Sequence, residues 1–152
     1  MTDTPSSSEA LESHDLTPDG AYALEALVRV VERQSRAEGR DFRASVLLVS
    51  DDGRRLLDAA GPSLPAEYRR SIHGFNIGAS AGSCGTAAYR GERVVVADIA
   101  HDPLWSEYRH LALPHGLAAC WSEPIRASTG EVLGTFAMYY QEPRAPIAAE
   151  LE

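Results

Sequence analysis

Ala44-Ser45-Val46-Leu47-Leu48-Val49-Ser50-Asp51-Asp52-Gly53-Arg54-Arg55-Leu56-Leu57-Asp58-Ala59-Ala60 is the stretch on which the fold turns. A β-rich run from Phe42 to Ser50 meets Asp51-Asp52-Gly53 and returns from Arg54 to Ala60. The turn residues make this a hairpin. A second pair of runs, Leu117 to Ile125 and Glu131 to Tyr140, is joined by the turn Ala127-Ser128-Thr129-Gly130. Hairpins near both ends of the chain predict an α+β fold on a largely antiparallel sheet, not a doubly wound parallel one.

Upstream of the first hairpin, Thr17-Pro18 reads as an N-cap with proline at the first helical position. Leu24, Leu27, Val28 and Val31 recur at i, i+3, i+4 and i+7, the stripe of an amphipathic helix over Pro18 to Ala37 that stops near Gly39. Downstream, Pro65 to Ile72 predicts a short helix with Leu64, Tyr68 and Ile72 on one side. Phe75-Asn76-Ile77 is a short extended piece. The small-residue stretch Gly78 to Ala88 can be helical in its second half, and its glycines permit close backbone approach. Arg93 to Asp98 is a strand built on Val94, Val95 and Val96. The long connection Ile99 to Gly116 holds a helix around Leu104 to Leu113.

The chain has 152 residues, the size of one domain. It carries 22 acidic and 14 basic residues, a formal charge of -8. All the basic residues are arginine, so lysine Schiff bases, P-loop lysines and Ser-Lys dyads are excluded. The acidic balance speaks against nucleic acid, whose affinity rests on phosphate neutralisation. Residues 1–16 are Ser-rich, acidic and poor in large apolar groups, and are expected to form a disordered tail. No apolar run reaches the roughly 18 residues of a membrane span. The expectation is a cytoplasmic protein with no membrane partner.

Five pieces in order carry a resemblance. They are Gly82-Ser83-Cys84-Gly85-Thr86-Ala87, Val94-Val95-Val96-Ala97-Asp98-Ile99, Asp102-Pro103-Leu104-Trp105, Gly116 to Ile125 (containing Cys120-Trp121-Ser122-Glu123), and Gly130-Glu131-Val132-Leu133-Gly134-Thr135-Phe136. Together they resemble a GAF domain over residues 18 to 145, of the kind found in bacterial sensor kinases and cyclic-di-GMP enzymes. The resemblance implies a central antiparallel sheet of about six strands, helices on both faces, and a small-ligand pocket roofed by connecting loops. It divides the chain into a tail at 1–16, the domain at 17–147, and the opening of a closing helix at 148–152.

The pocket implied by the resemblance draws on Phe75 and Ile77, on Ser83, Cys84 and Thr86 at a helix start, on Asp98, Trp105, Tyr108 and His115 in the connection, and on Trp121 and Glu123 in the next strand. A helix start offers free N–H groups and a positive dipole end. The small residues there equally serve tight helix packing, and Trp105 and Trp121 equally serve as plain core. Asp98, His101, Asp102, His110 and His115 cluster in one region. The five-residue spacing of His110 and His115, with Pro114 between, is not that of a helical metal pair. Asp98 and Asp102 read as caps and turn formers.

The function implied is a non-catalytic sensory module that binds a small molecule, works as a homodimer through the first helix, and belongs with a histidine kinase or cyclic-di-GMP output domain. Val30 and Ala23, flanking the helix stripe, supply the pairing face. No ligand or cofactor can be named. The alternative is a thiol redox sensor or an enzyme like the GAF-type reductases of free methionine sulfoxide, using Cys84. Those enzymes carry further cysteines in the following connection, whereas nothing between Cys84 and Cys120 is cysteine. Two reduced buried thiols are the expectation. Cys120 is followed by Trp121 rather than His, which speaks against a phytochrome-like bilin. The absence of lysine breaks the Asn-Lys-Phe-Asp-Glu set of cyclic-nucleotide GAF domains.

Overall fold

In the computed structural model, which describes residues 17–151, the Thr17 hydroxyl caps the first helix by accepting the Gly20 N–H at 2.9 Å. The expected tail lies outside the described residues. Helix α1 runs Pro18–Ala37. Strands β1 (Arg43–Val49) and β2 (Arg55–Ala60) form the first hairpin. Helix α2 (Ala66–Ile72), strand β3 (Phe75–Asn76), helix α3 (Gly82–Arg90) and strand β4 (Val94–Val96) follow. The chain closes with helix α4 (Arg109–Ala112), β5 (Ala119–Arg126) and β6 (Val132–Tyr140). The six strands form one antiparallel sheet in the order β3-β2-β1-β6-β5-β4. The α+β class, the sheet and the helices on both faces are as expected.

Strand alternation divides the core in two. One face buries Leu47, Leu56, Val94, Val96, Cys120, Ala137 and Tyr139 under α2, α3 and the β4–β5 connection. The other buries Val46, Ala60, Ala119, Trp121 and Tyr140, with Val28 of α1 upon them. Leu64, Tyr68 and Ile72 all enter the first core, as their spacing predicts.

Two expectations need correction. Leu27 does not belong to the buried stripe of α1: it is 58% exposed, and the inward line runs through Val28, Glu32 and Ser35. The helix turns 100° per residue, and the i, i+4, i+7 line set by Val28 leaves Leu27 on the flank. Glu32 is buried because its carboxylate accepts the Ala44 N–H at 2.7 Å and the Ser63 hydroxyl at 2.6 Å. The β1–β2 pairing ends at Val46–Ala60, so Glu32 supplies Ala44 with the acceptor that a neighbouring strand would give.

The single helix expected around Leu104 to Leu113 is instead three short pieces: the 3-10 turn Pro103–Trp105, α4, and the 3-10 turn Leu113–His115. Asp102 caps the first by accepting the Leu104 N–H at 2.9 Å. Trp105 must then turn inward to reach Ser83, and Pro114 prevents α4 from continuing. At the end of the chain, Ala148–Leu151 is one 3-10 turn, where Glu150 accepts from Arg144 at 2.8 Å.

Candidate functional site: a hydroxyl-lined cavity between helix α3 and the sheet

The site starts with two glycines. Gly82 opens α3 at φ +67°, a left-handed conformation that turns the chain into the helix beneath Trp105. A Cβ on Gly85 would lie 2.5 Å from the Ala81 Cβ and 2.9 Å from the Phe75 ring. The small-residue stretch therefore does serve tight packing: it lets α3 lie directly on β3 and β5.

That closeness creates a zipper of short side chains. The Ser83 hydroxyl donates to the Cys120 carbonyl at 2.7 Å and accepts from the Trp105 indole N–H at 3.0 Å. One residue on, the Cys84 sulfur accepts from the Ser122 hydroxyl at 3.3 Å. Thr86 turns inward, where its hydroxyl accepts the Ala81 N–H at 3.0 Å. All of these groups are buried. Across the cavity, the Tyr68 and Tyr139 hydroxyls share a hydrogen bond of 2.8 Å, with the rings edge to face at 5.6 Å. Burial pushes both phenols well above their ordinary range.

The space between α3 and the sheet is lined by Leu47, Tyr68, Ile72, Phe75, Trp105, Tyr108 and Tyr139, with Ala81 to Cys84 at one end. Its free volume is about 20 Å³, room for about one water-sized group. Phe75 and Tyr108 meet edge to face at 5.7 Å at its margin.

Of the residues expected here, Phe75, Ser83, Cys84, Trp105 and Tyr108 come together around the cavity. Ile77 packs against the same core, half-buried. Thr86 stands behind the wall, holding the start of α3. His115 lies edge-on to Tyr68 at 6.0 Å, with its Nε2 3.6 Å from Glu67. Asp98 is elsewhere: it binds His101 Nδ1 at 2.8 Å and the Ala100 N–H at 3.2 Å, the turn-forming role. Its carboxyl is held below the usual carboxylate range, chiefly by that bond to His101.

Trp121 and Glu123 are not brought to the cavity. Cys120 and Ser122 face α3, so the alternation of β5 sends Trp121 and Glu123 to the opposite side of the sheet. Trp121 stacks at 4.7 Å on Tyr140 beneath the Arg144 guanidinium and donates to the Arg144 carbonyl at 2.9 Å. Glu123 pairs with Arg93. Tyr68, Tyr139, Leu47 and Ile72 line the cavity and were missed. The only sequence signal was alternation: Tyr139 shares a strand face with Thr135 and Ala137, opposite Cys120. Among the described residues, no three His, Cys, Asp or Glu side chains converge as a metal site. No helix among them is long and apolar enough to cross a membrane.

Comparison with known proteins agrees with this architecture. A family profile described as GAF domain matches residues 23–152. A methyl sulfide methyltransferase-associated sensor of Methanosarcina acetivorans is 44% identical over 108 residues, which are 71% of this chain and 11% of that protein. The chain thus spans about a ninth of that relative's length. Among solved structures, one GAF domain shares the fold at TM-score 0.69 and 16% identity, covering 94% of this chain and 74% of that one. A domain assigned to a two-component sensor histidine kinase of Sinorhizobium meliloti 1021 gives TM-score 0.64 at 21% identity, over 84% and 79% of the two chains. A type II free methionine-R-sulfoxide reductase of Thermoplasma acidophilum gives 0.66 at 15%, over 90% and 85%. With the profile covering most of its length, the chain belongs to the GAF domain family.

Proposed function

We propose that this domain is a non-catalytic sensory module whose cavity beneath α3 takes up a small ligand of a few heavy atoms. The observation that carries the reading is an apolar space with convergent polar groups on its wall: the Tyr68–Tyr139 hydroxyl pair and the Cys84 thiol. The free volume of about 20 Å³ holds one water-sized group, so even a compact guest enters only by spreading α3 from the sheet, and a nucleotide or tetrapyrrole would demand far more. The relative named as a methyl sulfide methyltransferase-associated sensor supports a sensory role. It also suggests the first probe, dimethyl sulfide, whose methyl groups suit the lining and whose sulfur can accept from a phenol.

In this reading the ligand biases the packing of α3 on the sheet, and the change passes to a kinase or cyclic-di-GMP output partner in the cytoplasm. Self-association through α1 belongs to the same reading. Tyr22, Leu27 and Val30 are 76%, 58% and 45% exposed on that helix. Leu27→Glu is expected to abolish dimers seen by sedimentation at tens of micromolar, a range suited to a weak interface. A wild-type protein that sediments as a monomer there sinks the dimer.

Trp105 reports directly on the cavity, while Trp121 lies behind the sheet. A Trp121→Phe background therefore isolates the useful fluorescence. Dimethyl sulfide is expected to change Trp105 emission saturably, and Ile72→Phe, which fills the space, to suppress the response. An unsaturable response, or one equal in Ile72→Phe, overturns the reading.

A further inference from the structure

On the α1 side of the sheet, two arginines meet near the end of β6. Arg40 follows α1, Arg144 follows β6, and both line one open groove with Tyr140. The Arg144 guanidinium lies over the Tyr140 ring at 4.8 Å and the Trp121 ring at 5.2 Å, and the Arg40 guanidinium lies over Phe42 at 5.4 Å. Both face one oxygen of Glu150. Arg144 Nη2 donates to Glu150 Oε2 at 2.8 Å, while Arg40 Nε stays 3.8 Å from it, beyond hydrogen-bond reach. The other oxygen, Oε1, accepts the Ile147 N–H at 3.1 Å. One carboxylate oxygen thus serves two guanidiniums, and it leaves donors over. Arg40 Nε, Arg144 Nη1 and the Tyr140 hydroxyl, on a side chain 4% exposed, are buried atoms with no hydrogen-bond partner among the described residues.

We propose that Arg40, Tyr140 and Arg144 form a binding site for a phosphate group, in which Glu150 is the resident stand-in that phosphate displaces. A guanidinium presents its N–H groups as a fork suited to two oxygens of one anion, and Glu150 engages a single prong of Arg144. A phosphate group brings several charged oxygens in a tetrahedral array, acceptors enough for the three unmet donors as well as for Arg144 Nη2. Both guanidiniums already rest on aromatic rings, so little side-chain freedom remains to be lost on binding. Asp41 and Glu142 also line the groove, but both are exposed, where water and salt screen their charge.

Exchange of one anion for the other also moves the chain. From Ile147 to Leu151, every residue but Glu150 is exposed, Ile147 at 63% and Leu151 at 39%. The Glu150 carboxylate is therefore what holds the 3-10 turn Ala148–Leu151 to the arginines, and phosphate releases that turn. Linkage makes the effect reciprocal: a change that weakens the Glu150 contact strengthens phosphate binding. The site lies across the sheet from the cavity beneath α3 and does not depend on ligand uptake there.

The test follows the two indole N–H signals of the full chain by NMR, assigned with Trp121→Phe. The Trp121 N–H donates to the Arg144 carbonyl, whereas the Trp105 N–H donates to Ser83 on the other side of the sheet. Sodium phosphate at constant ionic strength should shift the Trp121 signal saturably and leave that of Trp105 in place. The Ile147 N–H, bonded to Glu150 Oε1, should exchange faster with solvent as phosphate binds. Glu150→Gln should tighten phosphate binding about tenfold, within the usual range of coupling between sites, and Arg144→Gln should abolish it. Glycerol phosphate in a parallel titration separates the sources: tighter binding of the ester points to an esterified phosphate, tighter binding of inorganic phosphate to the free ion. No saturable shift with either probe, an equal shift with chloride, a response that persists in Arg144→Gln, or an unchanged affinity in Glu150→Gln would each overturn the assignment. The wild-type titration decides the matter even where a variant folds poorly. The response of Trp105 to dimethyl sulfide is untouched by these outcomes, so a failure here is distinct from a failure of ligand uptake.

Discussion

The two faces of the sheet are buried alike but built differently. Towards α3, the core adds to its aliphatic groups a set of buried hydroxyls: Tyr68 and Tyr139 bond to each other, Ser83 donates to the Cys120 carbonyl, and Ser122 donates to the Cys84 sulfur. Towards α1, it contains Trp121, Tyr140, Phe42 and aliphatic groups, closed at the margin by Arg40 and Arg144 stacked on aromatic rings. Buried hydroxyl networks contribute little net stability, because folding exchanges one set of hydrogen bonds for another. Large apolar side chains contribute much more. Both faces bury large apolar side chains, Leu47, Leu56, Ile99 and Leu117 towards α3 and Trp121, Tyr140 and Phe42 towards α1; what distinguishes the α3 face is the polar network added to its core.

The sharpest way to break this contrast is Trp121→Ala. It removes a side chain 3% exposed together with its stack on Tyr140, and should cost about 4 kcal/mol in urea unfolding. A cost under about 1 kcal/mol would refute the contribution of this aromatic pair to the α1-side core. Next is Glu32→Ala, which strands the buried Ala44 N–H and should cost about 3 kcal/mol. Glu32→Gln should recover part of that loss, since an amide oxygen can still accept; equal loss in both variants would mean that volume, not the acceptor, matters.

On the other face, Tyr139→Phe should cost only about 1 kcal/mol, because it leaves the Tyr68 hydroxyl without its partner but opens almost no space. A loss as large as that of Trp121→Ala would erase the distinction between the faces. The phenols give the smallest effect at ordinary pH. Burial raises Tyr68 and Tyr139 above the usual value of 10.0. Their contribution is fully present below pH 10 and is lost as the unfolded chain ionises above it. Tyrosinate absorbance and circular dichroism followed together upward from pH 10 should show these two phenols ionising only as the fold is lost. Ionisation of all six tyrosines while the dichroism stays native would contradict that burial.

Much of this contrast was legible in the sequence, and the missing part has a physical pattern. The ends of α1 were readable because Thr17-Pro18 and Gly39 are local signals. The hairpins were readable because Asp51-Asp52-Gly53 and Ser128-Thr129-Gly130 set turns. The side of the sheet that each residue faces was not. A strand alternates, but nothing in Cys120-Trp121-Ser122-Glu123 states which phase meets α3, so Trp121 and Glu123 were expected at a cavity they turn away from. The Tyr68–Tyr139 pair joins residues 71 positions apart, beyond any local pattern. Glu32 was invisible for another reason: a carboxylate on an amphipathic helix reads as a solvent-facing group unless its backbone partner is known.

The strand order also bears on how the chain reaches this state. The β1–β2 and β5–β6 hairpins are local in sequence, but the centre of the sheet is the pairing of β1 with β6, which sets Arg43 opposite Tyr139. On a ribosome, the early hairpin must wait with an unpaired edge until β6 has emerged. Such non-local closure slows folding and leaves strands open to the wrong neighbours in the interval. The same β1–β6 seam brings Leu47 and Tyr139 together on the wall of the cavity, so the site exists only once this long-range pairing has closed.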